Sequence, residues 1–501
     1  MRRPGQGQDR RRDHHRRQGD GAGRAAGDRG VRHSGAAGFR RLLPGQCDAV
    51  ADPSLFDQGR GLAAGGRRLE QQADGYWQRR LWRDPGRGRA WPCGRRSRPA
   101  TPWPGPTWAT PRTGPAAPPE WALGQPEKII DWGHRANHET AVFAKALIAA
   151  HYGKGPRRAY FTGCSDGGRE ALMEVQRYPG DFDGVVAGAP ANAWTRLMGS
   201  FAWSWKAVHE VPESRIPDAL LPVVQKAALA QCDKLDGVAD GVIEDPRRCR
   251  FDPAVVHCKD GQAKDCLTPA QVSALRKLYQ GPRGARGKAI FPGYPAGGEA
   301  TPGAWPLWIS GEKAQHPSFA RSFFANFVYA NTSWQLAQLN LDKDLKAARA
   351  IAPTVASDNP DLSAFKAKGG KLILFHGWSD AAITPLATIQ YYDAVRARMG
   401  TKSTDAFSRL FMVPGMSHCF GGPGPNSFDM LATLDAWVEG GRAPDTVIAS
   451  KLDNDYADLL GMPAKTLRTR PLCAYPKVAQ WDGKGSTDQA ASFSCLRSAR
   501  H

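Results

Sequence analysis

The chain has 501 residues, a length that allows about two to four domains of ordinary size. Apolar residues make up 41% of the sequence and aromatic residues 9%, enough for a large buried core, which excludes a chain that is disordered throughout. No stretch approaches the roughly 18 consecutive apolar residues of a membrane-spanning helix. The formal net charge is +20, and residues 1–120 contribute +13 of it. The remaining residues are therefore only mildly basic.

Residues 1–120 have an unusual composition. They contain 24 Arg but no Lys, Ile or Asn, and neither strand nor helix periodicity is sustained. A GC-rich coding region translated in the wrong frame would give this composition, so we interpret the segment as unstructured and out of frame up to about Trp121. Two alternatives are a low-complexity tail and an Arg-rich arm that binds nucleic acid. The tract Met1–Arg17 lacks an apolar core and predicts no secretory signal.

From Trp121 onward, strand-like and helix-like segments alternate. The apolar patterns predict helices at Ala136–Tyr152, Arg169–Arg177, Ala387–Met399 and Asp429–Glu439, and strands at Arg158–Thr162, Asp181–Gly188, Lys371–Phe375 and Ala406–Val413. This alternation predicts an α/β fold with a parallel sheet, in which polar residues just past the strand ends form the site. The middle of the chain breaks the alternation and predicts an insertion above the sheet. We therefore expect two core segments, 121–206 and 351–501, on either side of an inserted domain, 207–350.

The first strand of this region runs directly into a glycine-rich turn that contains a serine. Gly163-Cys164-Ser165-Asp166-Gly167 fits the pattern G-x-S-x-G and is followed by a helix. In such a turn the serine oxygen is exposed, and the next backbone N–H, here that of Asp166, points toward a developing oxyanion. The pentapeptide alone is a weak signal, because glycine turns without catalytic function are common. Its position between a strand and a helix favours a nucleophile.

Two further polar residues follow predicted strands in the order that an esterase triad requires. Asp380 comes after Lys371–Phe375, and His418 comes after Ala406–Val413. The order serine, acid, histidine is that of the α/β-hydrolases. We expect His418 to take the proton of Ser165 and Asp380 to orient the imidazole. The competing histidine His376 lies four residues before Asp380, and we interpret it as a strand-end residue with local hydrogen bonds.

Eight of the ten cysteines lie outside residues 1–120 and fall into four pairs. Cys164 precedes Ser165 and Cys419 follows His418, so a triad would bring these two cysteines within disulfide range. The alternative is two unrelated buried thiols. The other close pairs also favour disulfides and an oxidising compartment, although the sequence does not prove the connectivity, and the absence of any C-x2-C pair makes zinc a weak rival. These pairs are Cys232/Cys249, Cys258/Cys266 and Cys473/Cys495.

The run DKLDGVADGVIED lies between Cys232 and Cys249 and is rich in carboxylates. Aspartates at spacings of three and four, with glycines for tight turns, suit a hard cation such as Ca²⁺. We predict a structural calcium site in the inserted domain, and the alternative is a solvated acidic loop. The side chains of Asp233, Asp236 and Asp240 would bind the ion together with the backbone carbonyls of Val238 and Val242.

Taken together, these motifs resemble the tannase/feruloyl esterase family of α/β-hydrolases over about Trp121–Cys495. The segments that carry the resemblance are GCSDGG at Gly163–Gly168, HGWSD at His376–Asp380, GMSHC at Gly415–Cys419 and the whole run Cys232–Cys249. The resemblance implies a Ser165–His418–Asp380 triad, a Cys164–Cys419 disulfide beside it, and a calcium loop in a lid domain. It also implies a secreted or periplasmic enzyme that hydrolyses small esters of aromatic acids, with no nucleic-acid or membrane partner.

The chain departs from the family before its first clear helix. The resemblance implies sheet strands and a glycine-rich segment with a second oxyanion donor within residues 1–120, and no such segment is recognisable there. Three hypotheses follow: a serine esterase for aromatic-acid esters, a catalytically impaired relative that lacks the oxyanion segment, and a nucleic-acid-binding protein that uses its Arg-rich front.

Overall fold

A computed structural model describes Arg80–Trp82, residues 119–262 and residues 264–497. The interpretation of residues 1–120 as unstructured and out of frame, and the Arg-rich arm, therefore fall almost entirely outside the described residues. The strands are β1 (Arg80–Trp82), β2 (Ala159–Cys164), β3 (Gly184–Gly188), β4 (Lys371–Gly377), β5 (Ser408–Val413), β6 (Thr446–Leu452), β7 (Thr466–Cys473), β8 (Lys477–Trp481) and β9 (Phe493–Arg497).

The α-helices range from single turns to 17 residues. They are α1 (Pro126–Ile130), α2 (Ala136–Tyr152), α3 (Asp166–Arg177), α4 (Trp194–Val208), α5 (Leu221–Cys232), α6 (Pro269–Gln280), α7 (Trp305–Trp308), α8 (Gln315–Ser322), α9 (Leu341–Ala348), α10 (Ala352–Val355), α11 (Ser363–Ala367), α12 (Pro385–Met399), α13 (Thr401–Asp405), α14 (Met430–Gly440) and α15 (Ala457–Leu460). None of the described helices is long and apolar enough to cross a membrane.

The main sheet has the order β1-β2-β3-β4-β5, in which β2 to β5 are parallel and β1 is antiparallel to β2. The parallel register brings the carboxyl ends of the strands to one edge: Cys164 pairs with Gly188, and Gly377 with Val413. The loops that follow β2, β4 and β5 therefore meet at this edge, as the alternation of strands and helices predicts.

Both faces of the parallel sheet are buried, which makes the core three-layered. Side chains alternate along each strand, so neighbouring residues such as Tyr160 and Phe161 enter different cores. One face packs against α3 and α12 through Leu172, Val175, Ile389, Tyr392 and Val395. The other face packs against α14 and β6 through Met430, Leu434, Trp437, Val447 and Ala449.

The insertion between β3 and β4 is helical and has its own apolar cores. One core joins α4, α8 and the π-helical turn Phe323–Val328, and a second joins α4, α5 and α6. The excursion from the sheet begins after Gly188 and returns at Lys371, and the expected boundary at residues 206/207 falls inside α4. We refer to the part of this excursion from Trp194 to Val355 as the lid.

The bounds of the predicted helices and strands agree with the structure to within a few residues, but the expected burial of α2 is partly wrong. The prediction of this helix rests on the apolar residues Ala141, Phe143, Leu147 and Ile148, taken to lie at helical spacing. Ala141 is buried, whereas Phe143 and Leu147 are 68% and 52% exposed. The buried residues of this helix are Ala136, Asn137 and Ala141, all in its first two turns.

Candidate active site

Ser165 occupies the sharp turn between β2 and α3. Its φ of 65° lies in the left-handed region, which is uncommon for a residue with a side chain and occurs often at functional sites. The turn requires a close approach of backbones, since a Cβ on Gly163 would lie 2.3 Å from the Gly167 carbonyl oxygen, and one on Gly168 would lie 2.3 Å from that of Gly188. These glycines allow the strained turn that presents the serine hydroxyl.

The structure brings the three predicted triad residues together. His418 Nε2 lies 2.8 Å from Ser165 Oγ, and His418 Nδ1 lies 2.7 Å from Asp380 Oδ2. Asp380 is buried, and its other oxygen, Oδ1, accepts hydrogen bonds from the backbone N–H groups of Ala382 and Ile383 at 2.8 and 2.9 Å. A hydroxyl, an imidazole and a carboxylate thus form one hydrogen-bonded chain.

The charge of Asp380 is stabilised despite its burial. Burial alone would raise the pKa of this carboxyl group, but His418 and His376 outweigh it through charge and hydrogen bonds, and the pKa is held below the ordinary range. Asp380 therefore stays ionised at any pH at which an esterase would be assayed. A fall of the hydrolysis rate at low pH (the acid limb of the pH–rate profile) would not reflect protonation of Asp380.

A disulfide links the backbones that carry the serine and the histidine. Cys164 and Cys419 are bonded with their Cα atoms 6.1 Å apart, and Cys419, like Ser165, has a positive φ, 67°. The structure therefore contains the bridge that the sequence predicts. The three other predicted pairs are bonded as well: Cys232–Cys249, Cys258–Cys266 and Cys473–Cys495.

Asp166, the predicted oxyanion residue, is the first residue of α3. The first helical hydrogen bonds come from the N–H groups of Gly168 and Arg169 to the Ser165 carbonyl, so the N–H of Asp166 precedes the hydrogen-bond ladder of the helix. Its carboxylate accepts from Arg169 Nε at 2.5 Å. Arg169 is fully buried and also donates to the carbonyls of Trp132 and Gly133, which fixes the start of the helix against the preceding turn.

The lid contacts the triad directly. The indole of Trp308 lies 5.3 Å, centroid to centroid, from the ring of His418 in an edge-to-face arrangement. His316 on α8 is buried and its Nε2 donates to the Ala382 carbonyl at 3.1 Å, while the Thr384 hydroxyl donates to the Gly293 carbonyl at 2.6 Å. The loop that carries Asp380 is therefore held by the lid as well as by the sheet.

Sequence reasoning assigned His376 a local role and did not connect it with the triad. In the structure its Nε2 lies 3.1 Å from Asp380 Oδ2, the same oxygen that His418 contacts. The strand pattern contains a signal for a buried hydrogen-bond partner, because His376 lies on the same side of β4 as the buried Leu372 and Leu374. A polar side chain on an apolar face must find a hydrogen-bond partner.

Burial of His316 gives an expected dependence of stability on pH. Burial lowers the pKa of His316 to about 3, whereas an unfolded histidine titrates near 6.5. Between these values the unfolded chain binds a proton that the folded chain does not, so the free energy of unfolding should fall with decreasing pH by about 1.4 kcal/mol per pH unit. Urea midpoints between pH 7.5 and 4.5 measure this slope.

The variant His316→Gln keeps a donor for the Ala382 carbonyl but cannot be protonated. It should flatten the slope, while His138→Gln, a half-exposed histidine paired with Asp181, serves as the control. A slope in His316→Gln equal to that of the parent would contradict the assignment. His134, whose pKa is lowered to about 4 mainly by burial, contributes in the same direction and accounts for part of the residual slope.

The predicted calcium ligands lie on one loop, but the carboxylates already have partners. Asp233 accepts from the N–H groups of Asp240 and Gly241, and Asp236 accepts from the N–H of Val238. Asp240 Oδ2 pairs with Arg470 at 2.6 Å and with Arg468 at 2.9 Å. Within the described ranges, no group of three or more His, Cys, Asp or Glu side chains is arranged to hold a metal.

The donor set nevertheless suits a hard cation. Asp236, Asp240, Val242 and Glu244 line one small pocket, which Arg470 also lines, whereas the predicted ligands Asp233 and Val238 do not line it. A calcium ion in this pocket would share Asp240 with the two arginines.

The fold and the site together define an α/β-hydrolase, in which loops after parallel strands assemble a Ser–His–Asp cluster. Residues 111–496 match the family model described as tannase and feruloyl esterase. The chain belongs to this family, and it is a carboxylic ester hydrolase. The expected α/β-hydrolase sheet with an inserted lid is confirmed.

Three relatives illustrate the range of the family. An uncharacterised esterase of Xanthomonas campestris is 41% identical over 422 residues, which cover 76% of this chain and 72% of the relative. The mono(2-hydroxyethyl) terephthalate hydrolase of Piscinibacter sakaiensis is 34% identical over 74% of this chain and 69% of its own. The crystal structure of feruloyl esterase B from Aspergillus oryzae superposes with a TM-score of 0.69 at 31% identity, covering 75% of this chain and 77% of that one.

Proposed function

We propose that this chain hydrolyses esters of aromatic acids through a covalent acyl-enzyme formed on Ser165. The observation that supports the proposal most directly is the continuous chain of hydrogen bonds from Ser165 Oγ through His418 to Asp380 Oδ2. A nucleophile, a base in contact with it and a group that orients the base are the requirements for acyl transfer.

In this proposal each residue has one role. Ser165 Oγ attacks the ester carbonyl carbon while its proton moves to His418 Nε2, and the ring then protonates the departing alcohol oxygen. Water attacks the acyl-enzyme in the second half, giving its proton to the same nitrogen, and the acid leaves as Ser165 regains its hydrogen. Asp380 keeps the proton of His418 on Nδ1, so that Nε2 is free to accept. The Asp166 N–H donates to the oxyanion.

The relatives and the lid both favour an aromatic acyl group. Relatives are named feruloyl esterase and mono(2-hydroxyethyl) terephthalate hydrolase, names that describe those proteins. In this chain the indole of Trp308 lies next to His418 and offers an apolar wall beside the reacting centre. Three other aromatic residues of the lid, Trp305, Phe323 and Phe324, are buried in lid cores and are not available as substrate contacts.

Two measurements test the proposal. Hydrolysis of methyl ferulate should exceed that of methyl acetate in kcat/KM, and an active-site fluorophosphonate should label the folded protein on the peptide that contains Ser165. A folded sample that is neither labelled nor active would favour the catalytically impaired alternative. Labelling with equal rates on both methyl esters would contradict the preference for aromatic acids but not the nucleophile.

We propose that the loop Asp233–Val242 binds a structural calcium ion. The carboxylates of Asp233, Asp236 and Asp240 and the carbonyls of Val238 and Val242 would hold it, with no part in the chemistry at Ser165. The loop joins the lid to the rest of the chain: the Asp236 carbonyl accepts from Gln480, and Glu244 accepts from the N–H of Ala479 on β8. An ion here would stabilise this junction.

Removing calcium should therefore lower the thermal stability. An ion present at 100 times its dissociation constant adds about 2.7 kcal/mol to the free energy of unfolding, so chelation should lower Tm by several degrees. Differential scanning calorimetry with EDTA, and again after excess calcium, measures the change. The variant Asp236→Asn should lose most of the response, whereas Asp252→Asn, an exposed carboxylate paired with Arg276, should keep it. An unchanged Tm on chelation would contradict the site.

Four disulfides also bear on the compartment. Such bonds persist in oxidising environments and are rare in the cytosol of mesophiles. We propose that the protein works in the periplasm or outside the cell. Free-thiol labelling of protein isolated from its native compartment tests this, since extensive labelling of Cys164 and Cys419 would contradict it.

A further inference from the structure

The buried carboxylate of Asp380 has two histidine partners rather than one. Oδ2 lies 2.7 Å from His418 Nδ1 and 3.1 Å from His376 Nε2. Both Asp380 and His376 are buried, at 2% and 0% exposure. Two imidazoles therefore compete for one oxygen atom that solvent hardly reaches, and the function proposed above uses only one of them.

The hydrogen bonds of His376 fix its tautomer. Its Nε2 lies 3.0 Å from the carbonyl oxygen of Ile383, and a carbonyl can only accept. Nε2 therefore carries the proton and donates to both Ile383 and Asp380. The other nitrogen, Nδ1, lies 2.8 Å from Thr388 Oγ1. The ring is therefore held between β4 and α12 with both nitrogens engaged in hydrogen bonds.

Every acceptor site of Asp380 that faces the protein is thus occupied. Oδ1 accepts hydrogen bonds from the N–H groups of Ala382 and Ile383, and Oδ2 accepts hydrogen bonds from the two histidines. Because His376 Nε2 also contacts Oδ2, the carboxylate cannot rotate away from the base without losing this second hydrogen bond. The second donor also draws part of the negative charge of Oδ2 away from His418.

We propose that His376 is a positioning residue: a second donor that fixes the orientation of Asp380 toward His418 and limits how strongly the carboxylate stabilises the imidazolium. The inference rests on the esterase function proposed above. The other titratable groups near this cluster are His316 on α8 and Tyr294 in the lid. Both are buried and stay neutral at assay pH, since burial lowers the pKa of His316 and raises that of Tyr294.

The test compares two variants of His376. His376→Met removes the donor and keeps an apolar side chain of similar length. We expect kcat/KM to fall about 10- to 100-fold, the loss typical of a hydrogen bond to a charged group. With one donor fewer, Asp380 favours the imidazolium more strongly, so the acid limb of kcat/KM should move to higher pH. His376→Gln retains an amide donor at the position of Nε2 and should restore most of the rate and the parent position of the limb.

Thr388→Val is the matched control, because it alters the far side of the His376 ring and leaves Asp380 untouched. Its kcat/KM should stay within about threefold of the parent value, and the acid limb of the pH profile should not shift. The reason is that the Ile383 carbonyl still requires a proton on His376 Nε2. Equal losses in the Met and Gln variants with no shift of the limb would indicate a merely structural role and overturn the proposal. The proposal would also be overturned if kcat/KM and the position of its acid limb were the same as in the parent in both His376→Met and His376→Gln.

A second readout separates this proposal from the proposed function. The far-downfield proton resonance of the bond between His418 Nδ1 and Asp380 can be followed by NMR without any substrate. It should change frequency in His376→Met and stay near the parent value in His376→Gln and Thr388→Val. If the parent protein hydrolyses no ester, the proposed esterase function is rejected, but the resonance still tests the positioning role of His376. A resonance unchanged in His376→Met would overturn the inference even in an active enzyme.

Discussion

Replacing Ser165 by alanine is expected to lower kcat for ester hydrolysis by at least about 10⁴-fold, with a much smaller change in KM. The variant lacks the oxygen that attacks the carbonyl, and His418 Nε2, now without its partner at 2.8 Å, has only water to activate. The oxyanion donor and the binding contacts stay in place, so a small residual rate above that in water should persist. Initial rates on methyl ferulate and on p-nitrophenyl acetate measure the loss.

A matched control separates loss of the nucleophile from loss of a buried serine. Ser204 is buried on α4, where its hydroxyl donates to the Ser200 carbonyl of the same helix. Ser204→Ala should keep the parent rate to within about threefold, because the change removes one local hydrogen bond in the lid. Equal rates in the parent and in Ser165→Ala would remove the basis for the assigned nucleophile.

Replacing Asp380 by asparagine is expected to lower kcat by about 10⁴-fold with little change in shape at the site. The backbone N–H groups of Ala382 and Ile383 require an acceptor, so the amide oxygen should take the place of Oδ1. The amide NH₂ must then face His418 Nδ1 and impose the tautomer in which Nε2 carries the proton. In that state Nε2 cannot accept the proton of Ser165.

Because of His376, the Asp380→Asn variant should lose stability as well as activity. The amide NH₂ would also face the N–H of His376 Nε2, which places two donors against each other at a buried position. We therefore expect a measurable fall in Tm beside the kinetic loss. Asp361→Asn, at a partly exposed carboxylate paired with Arg398, is the control and should change neither quantity appreciably. A kcat of Asp380→Asn within tenfold of the parent would contradict the role of the carboxylate.

Much of the sheet could be predicted because each buried strand is a short apolar run that ends in small or polar residues. The runs around Phe161, Val186, Ile373 and Phe411 are of this kind, and their carboxyl ends carry the residues that meet at the site. Cysteine adjacency made the Cys164–Cys419 bridge predictable as well, since neighbours of two contacting residues must themselves be close.

The rest depended on geometry that a linear pattern does not contain. Whether His376 faces Asp380 or the opposite layer depends on the register of β4 and on the turn after it. The contact of His316 with the Ala382 carbonyl joins residues 66 positions apart on separate elements. Phe143 and Leu147 fit a helical stripe, but both side chains are exposed in the structure. Such outcomes follow from packing between elements rather than from the periodicity of one segment.

The bridge between Cys164 and Cys419 spans 255 positions of the sequence and encloses the whole lid within a covalent ring. A protease that cuts one peptide bond in a surface loop of the lid would therefore not separate the fragment that bears Ser165 from the one that bears His418. The nicked protein would migrate as a single species until a thiol reductant is added, and as two fragments afterwards. After a single cut in the lid, nucleophile and base would thus remain on one covalently linked molecule.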